Sequence, residues 1–234
     1  MNERQFIDKI QDQNLGVITI SDASRLIKKS RNYTTLYLKR LENRGTINRI
    51  EKGKYTLPDT HPLVIASNLI IPSYISFLSG LAYHHKTTQI PRIIQVATTK
   101  SKKRIIHENE EIQFIKLKKT FGYNREKMIN GYAFVGEIEK IIVDSLFLPK
   151  YCPIVETIQA IDSTQDIKKL IDYALKMDSI VVLKRMGYLL ELHDIDVYKK
   201  VKNHLNKRYD LLNPQLPPTG KNNNKWKLKI NEEI

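Results

Sequence analysis

Residues 30–57 combine two hydrophobic patterns of different period. In the first half, side chains suited to packing recur every three or four residues, which on an α-helix places them along one face. These positions are Thr34, Tyr37, Leu38 and Leu41. Gly45 can adopt the left-handed conformation that ends many helices. The pattern predicts a helix with one packed face and one polar face, ending near Gly45.

In the second half, apolar and polar residues alternate on both sides of a turn at residues 51–54, which contains Gly53. The alternating positions are Ile47, Arg49, Tyr55 and Leu57. This pattern predicts a β-hairpin, and its turn would project Lys52 and Lys54 into solvent.

Two further helices are predicted upstream of this unit. Ser21 is suited to cap a short helix that follows it, and Phe6, Ile7 and Ile10 mark an earlier helix. Three helices followed by a hairpin is the order of a winged helix-turn-helix. The alternative is a small module over residues 1–58 that binds protein. The segment has twelve basic and six acidic side chains, which favours DNA.

In a winged helix-turn-helix, the start of the third helix enters the major groove. The side chains that we expect to reach base edges are Asn32, Tyr33, Thr35 and Lys39. Those that we expect to contact phosphates are Arg31, Arg40, Lys52 and Lys54. Asn32 is the best candidate for an adenine edge, although its side chain could instead cap the helix. Leu36 faces either a thymine methyl group or the core.

The wing ends at Pro58, and the proline-bracketed residues 58–62 are typical of a linker. We predict a DNA-binding domain at 1–58 and a second domain at 59–234. Residues 62–83 contain no charged side chain, so a membrane-spanning helix must be considered. Pro72 and several serines interrupt this run and divide it into shorter helices, which argues against a span.

The second domain alternates between element types. We expect a helix over 74–83, strands at 93–97, 112–117 and 132–135, and a mostly helical part from 137 to 207. The fold class is therefore α+β: an N-terminal winged helix-turn-helix plus a C-terminal α+β domain with a small sheet and helices gathered on it.

The chain of 234 residues is strongly basic, with a net charge of +14. A second basic tract runs from residue 86 to 127, with eleven basic and four acidic side chains. Its densest part is Lys100, Lys102, Lys103 and Arg104. This loop is either a solvated segment or a face for nucleic acid or for a partner that handles nucleotides.

Nothing in the sequence predicts a cofactor or a catalytic centre. Cys152 is the single cysteine, no cluster has metal-ligand spacing, and no export signal is apparent, so we expect a cytoplasmic protein. A metal nuclease would need converging carboxylates, but Glu137 and Asp144 lie about 10 Å apart along a helix. Trp226 either anchors the C-terminal tail or stacks on a base.

Several runs resemble the AbiE-type antitoxin and transcriptional regulator family. They follow the predicted wing in the order PSYISFLSGLAYH (72–84), QIPRIIQVATTK (89–100), EKIIVDSL (139–146), NPQLPPTG (213–220) and KWKL (225–228). The resemblance covers nearly the full length of the chain.

The resemblance implies an autorepressor whose winged domain binds double-stranded DNA at its own promoter, at repeated operator sites for which we expect inverted repeats. It further implies that the second domain neutralises a nucleotidyltransferase-like toxin, with a role in antiviral defence. Family residues for neutralisation map to a basic face, which Lys102, Lys103 and Arg104 would supply here. The alternative is a standalone transcription factor whose second domain senses a ligand or mediates assembly.

Overall fold

The computed structural model describes residues 1–162 and 166–234 and has an α+β fold, as the sequence predicts. The helices are α1 Glu3–Asp12, α2 Ile20–Ile27, α3 Arg31–Asn43, α4 Pro62–Asn68, α5 Phe77–Tyr83, α6 Ile138–Phe147, α7 Ile154–Asp162, α8 Ile167–Met177, α9 Ile180–Leu192 and α10 Tyr198–Val201. The strands are β1 Ile18–Thr19, β2 Asn48–Glu51, β3 Lys54–Thr56, β4 Ser73–Ile75, β5 Ile93–Thr98, β6 Ile105–His107, β7 Glu110–Lys116, β8 Tyr123–Met128, β9 Gly131–Gly136, β10 Asp210–Leu211, β11 Lys221–Asn223 and β12 Leu228–Ile230.

The chain divides into two compact units that are not continuous in sequence. Unit 1 consists of Met1–Ile75 and Arg92–Val135, and unit 2 consists of Ser76–Pro91 and Gly136–Ile234. Unit 1 therefore contains the predicted winged module together with the sheet that follows it. The domain boundary at Pro58 stays a prediction.

The winged module contains α1, α2 and α3 and a three-stranded sheet in the order β1-β3-β2. It has a hydrophobic core of its own, to which the helices contribute Phe6, Leu26 and Leu38 and the hairpin contributes Ile47 and Tyr55. Because the three helices and the hairpin segment supply apolar side chains to one core, the three helices and the wing pack as a unit.

The cap of α2 differs from the prediction. The cap is Thr19, whose hydroxyl accepts a hydrogen bond from the Asp22 backbone N–H at 3.1 Å, while Asp22 accepts one from the Thr19 N–H at 3.1 Å. This reciprocal pair satisfies two N–H groups that the helix start would leave unbonded, which one serine cannot do. Ser21 lies inside the first turn instead.

The second sheet of unit 1 has six strands in the order β6-β7-β5-β4-β9-β8. The three predicted strands are confirmed as β5, β7 and β9. The helix predicted over 74–83 is partly wrong, because Ser73–Ile75 forms β4, antiparallel to β5 and parallel to β9. An apolar run of this length does not by itself distinguish a strand from a helix, and pairing with two distant strands decides it here.

Unit 2 contains α5 to α10 and a small sheet in the order β10-β12-β11, in agreement with the mostly helical pattern predicted from residue 137. Trp226 is fully buried and packs on Gly187, where an added Cβ atom would lie 2.1 Å from the indole. This confirms the tail-anchor alternative for Trp226. Among the described residues, no helix combines the length and the apolar character needed to cross a membrane.

Candidate nucleic-acid interface

The third helix has the packed and exposed faces that its sequence predicts. Thr34, Leu38 and Leu41 are buried, whereas the predicted base and phosphate contacts on this helix are exposed. The exposed set is Arg31, Asn32, Tyr33, Thr35, Lys39 and Arg40. Leu36 is 63% exposed, which removes the core alternative for this residue. Helix α3 therefore presents a polar and cationic surface that includes one apolar side chain.

The start of α3 is capped by Ser30, whose hydroxyl accepts a hydrogen bond from the Tyr33 backbone N–H at 3.5 Å. Capping by Asn32 is thus wrong, and its amide lies exposed in the first turn. The Thr35 hydroxyl donates a hydrogen bond to the Arg31 carbonyl at 2.9 Å, so its proton is already engaged. Asn32 is consequently the better placed of the two to form a bidentate contact with a base.

Helix α3 is preceded by a short, cationic connection from α2. Lys28 ends α2 with a left-handed backbone, at φ 53°, and Lys28 and Lys29 are both exposed. The Lys29 ammonium lies 5.9 Å from the centre of the Tyr33 ring, over its face. Positive charge therefore continues from the connection onto the start of α3.

The wing forms as predicted, with Arg49 opposite Tyr55 across β2 and β3 and a turn at Lys52 and Gly53. Gly53 has φ +76°, a conformation that costs other residues free energy. The two predicted phosphate contacts of the wing differ in environment. Lys52 is exposed, whereas the Lys54 ammonium pairs with Glu51 at 2.9 Å and donates to the Leu69 carbonyl.

Glu51 also binds the second predicted basic region. The Lys102 ammonium lies 2.7 Å from a Glu51 carboxylate oxygen, its side chain is only 16% exposed, and it lies 5.6 Å from the Phe114 ring centre. Arg104 pairs with Glu111. The structure therefore separates the four predicted residues of the 100–104 loop: Lys100 and Lys103 are exposed, and Lys102 and Arg104 are in ion pairs.

The two ion pairs of Glu51 change the pKa of its carboxylate. Partial burial of the carboxylate raises its pKa, but hydrogen bonds from Lys102 and Lys54 and their positive charges outweigh that effect and hold the pKa below its ordinary value. A second polar contact lies nearby, since the Asn48 amide donates a hydrogen bond to Glu108 at 3.0 Å. The wing is therefore held by polar contacts at residues 48, 51 and 54 to the loops beside β6 and to the end of α4.

Sequence reasoning missed Glu51 as a group that organises the wing. An acidic residue in an otherwise cationic hairpin is a signal that this carboxylate has a cationic partner. Nothing local points to Lys102 as that partner, because 51 residues separate the two along the chain. Reasoning from sequence also missed Arg49, which is exposed on β2 and adds positive charge to the wing.

The carboxylates weighed for a nuclease have structural partners in unit 2. Lys169 lies 3.2 Å from Glu137 and 3.4 Å from Glu139, while the buried Asp144 pairs with Lys140 and accepts a hydrogen bond from Ser76 at 2.8 Å. Within residues 1–162 and 166–234, no three His, Cys, Asp or Glu residues are grouped so that they could hold a metal ion.

The single thiol does not resemble an activated nucleophile. Cys152 is fully buried, and burial raises its pKa to about 11, although hydrogen bonds from Ser145 and Thr157 oppose that shift. A thiol with this pKa is protonated at neutral pH, and the thiolate is the reactive form. We therefore assign Cys152 to the packing of unit 2.

Comparison with known protein families gives a match in the N-terminal part of the chain. A family model described as a transcriptional regulator, AbiEi antitoxin, matches residues 5–58 of the 234-residue chain. The matched segment coincides with the winged module, from α1 through the end of the hairpin. No curated protein is significantly similar to the chain.

Proposed function

We propose that this chain, whose residues 5–58 match the AbiEi antitoxin family of transcriptional regulators, is a sequence-specific autorepressor that binds duplex DNA with its winged module. The observation that supports this proposal best is the exposed face of α3. Six predicted contact residues lie there together, and the packed face of the same helix is buried in the module core.

In the proposed complex, the first turns of α3 enter the major groove. Asn32 reads an adenine edge, with Tyr33, Thr35 and Lys39 as neighbouring base contacts. Arg31 and Arg40 bind phosphates beside the groove and so fix the position of the helix on the duplex. These roles rest on the exposure of the side chains and on the cap at Ser30, which leaves the Asn32 amide available.

In the wing, we assign the phosphate contact to Lys52 and a positioning role to Lys54. The Lys52 side chain is exposed at the turn, whereas the Lys54 ammonium already has a carboxylate and a carbonyl as partners. A lysine with two such partners would have to exchange them for a phosphate. Lys54 therefore stabilises the shape of the wing, and Lys52 supplies its positive charge to the DNA.

The antitoxin part of the family description supports a second step in the proposal: neutralisation of a nucleotidyltransferase-like toxin, for which the second domain, residues 59–234, is the candidate. Lys100, Lys103 and Arg104 are the exposed members of the loop that we predicted to take part, and Arg104 pairs with Glu111. The alternative is a standalone regulator. An adjacent reading frame for a nucleotidyltransferase-like protein, whose toxicity is relieved by co-expression of this chain, would support the antitoxin and count against the alternative.

The autorepressor proposal is tested by binding of the purified chain to a labelled duplex from its own upstream region and to a scrambled duplex, across a salt series. We expect tighter binding to the upstream duplex. Arg31→Ala should weaken binding to both duplexes, and Lys200→Ala, which removes the same charge from an exposed site outside the winged module, should change neither. Equal binding to the two duplexes by the wild-type chain would contradict autorepression.

A further inference from the structure

The outer strand of the six-stranded sheet bears cations over an aromatic ring. Alternation along β8 places Tyr123, Arg125 and Lys127 on one face. The Arg125 guanidinium carbon lies 3.7 Å from the centre of the Tyr132 ring on the neighbouring strand β9, and the Lys127 ammonium lies 4.7 Å from it. We name these four residues the β8 ladder. Both of its cations are exposed, and both of its rings are half-buried.

Neighbouring side chains hold the two tyrosines of the ladder in place. Tyr123 stacks on the fully buried Tyr74, with ring centres 5.0 Å apart and planes 9° apart, and Phe134 meets Tyr123 edge-on at 6.0 Å. The Tyr132 carbonyl accepts a hydrogen bond from Asn68 at 2.8 Å. Because these supports are buried or half-buried, the ladder is a preformed surface rather than a set of independent side chains.

The chain segment that contains β8 is strongly basic. Residues 116–127 contain five cations and one carboxylate, Glu126, which alternation along the strand places on the face opposite Arg125 and Lys127. Lys127 donates a hydrogen bond to the amide oxygen of Asn14, a neutral partner that leaves its charge available. In contrast, the cations at 102 and 104 pair with carboxylates.

We propose that the β8 ladder binds single-stranded nucleic acid, RNA or DNA. A guanidinium at stacking distance from Tyr132 has a second face, and an unstacked base can lie on that face. Lys127, which is exposed beside the same ring, can then pair with a phosphate of the same nucleic-acid strand. A duplex hides the faces of its bases inside the stack, whereas an unstacked base exposes the face that can lie on the Arg125 guanidinium.

This inference is independent of duplex binding by α3, so the two surfaces can be tested separately. The probes are labelled oligo(U) and oligo(dT) of about ten nucleotides and the upstream duplex, with fluorescence anisotropy as the measurement. We expect Arg125→Ala combined with Lys127→Ala to weaken single-strand binding about tenfold. The control, Lys200→Ala with Lys207→Ala, removes the same charge from exposed positions in unit 2 and should change single-strand binding far less.

Arg125→Lys separates stacking from charge, because it keeps the cation and removes the planar guanidinium. We expect it to weaken single-strand binding several-fold while duplex binding stays unchanged, and its circular dichroism spectrum should match that of the wild type. Should the double alanine variant fail to fold, Arg125→Lys and Lys127→Gln replace it. Preference for oligo(U) over oligo(dT) would identify RNA as the ligand, and the reverse would identify DNA.

Three outcomes would overturn the proposal: no single-strand binding by the wild type at low salt, wild-type affinity in Arg125→Lys, or losses in the ladder variants no larger than in the control. Wild-type affinity in Arg125→Lys would mean that any positive charge at this position suffices and that no base stacks on the guanidinium. Losses no larger than in the control would mean that the ladder is not the binding site.

Discussion

The wing offers the sharpest test, because two lysines of one hairpin are assigned different roles. We expect Lys52→Ala to remove one phosphate contact. Each such contact contributes about 0.9 to the slope of log K against log salt for duplex DNA. When the salt concentration rises fourfold, from about 50 mM to about 200 mM, the part of the association constant that depends on one such contact therefore falls by about 3.5-fold. The slope for Lys52→Ala should be smaller by about 0.9, with little change in stability, because the Lys52 side chain is exposed.

We expect the opposite result for Lys54→Ala. Its ammonium pairs with Glu51 at 2.9 Å and donates to the carbonyl of Leu69, a residue that is 1% exposed. Loss of the donor leaves a carbonyl and a carboxylate short of one partner each, which costs about 1 to 3 kcal/mol of unfolding free energy. The salt slope should stay at its wild-type value, because no phosphate contact is lost.

Fluorescence anisotropy across the salt series gives the slope, and unfolding in urea gives the free energy. Lys200→Ala is the control for loss of one exposed charge outside the winged module. A slope that falls by about 0.9 in Lys54→Ala and not in Lys52→Ala would refute the assignment. It would mean that the wing contacts DNA with the Glu51 pairs broken.

Three further predictions follow from the same geometry. Asn32→Ala should reduce the preference for the operator over a scrambled duplex by about 1 to 3 kcal/mol in a competition assay. An equal loss of affinity for both duplexes would mean that Asn32 has a structural role and does not read a base. The pKa of Glu51 lies below its ordinary value, so its stabilising effect is complete above pH 4.5 and is lost as the pH falls through the lowered pKa. Urea unfolding should therefore show Glu51→Gln to be less stable than the wild type at pH 7, with the difference narrowing in acid; the same difference measured in a Lys102→Ala background should be smaller at pH 7. A fragment of residues 59–234 should lose duplex binding and still have the circular dichroism spectrum of a folded α+β protein. Aggregation of that fragment would contradict a domain boundary at Pro58.

Local patterns predicted the packed and exposed faces of α3 well, and the reason is the short range of the interactions involved. The period of 3.6 residues depends only on neighbours in the sequence, so Thr34, Leu38 and Leu41 mark the packed face whatever surrounds the helix. The cap at Thr19 was predictable for the same reason. An aspartate three residues after a threonine, as Asp22 is, suits the reciprocal bond of a helix start.

Tertiary pairing explains what local patterns could not predict. Residues 73–75 lie in an uncharged run that suits a buried helix as well as a strand, and β4 forms because β5 and β9 pair with it on either side. Similarly, Lys102 belongs to a tract that has the composition of a free basic loop. Its low exposure follows from Glu51, a residue of a different hairpin.

Net charge therefore does not locate an interface in this chain. Lys54, Lys102 and Arg104 contribute to the total of +14 as much as any surface lysine, yet each is paired with a carboxylate in unit 1. The exposed cations of unit 1 to which we assign nucleic-acid binding lie on α3, at the turn of the wing and on the β8 ladder. The first two groups accompany a helix that can enter a groove, whereas the ladder lies over aromatic rings on a sheet. We therefore expect the same positive charge to bind a duplex in one place and a single strand in the other, because the element beneath it decides which part of the nucleic acid it can reach.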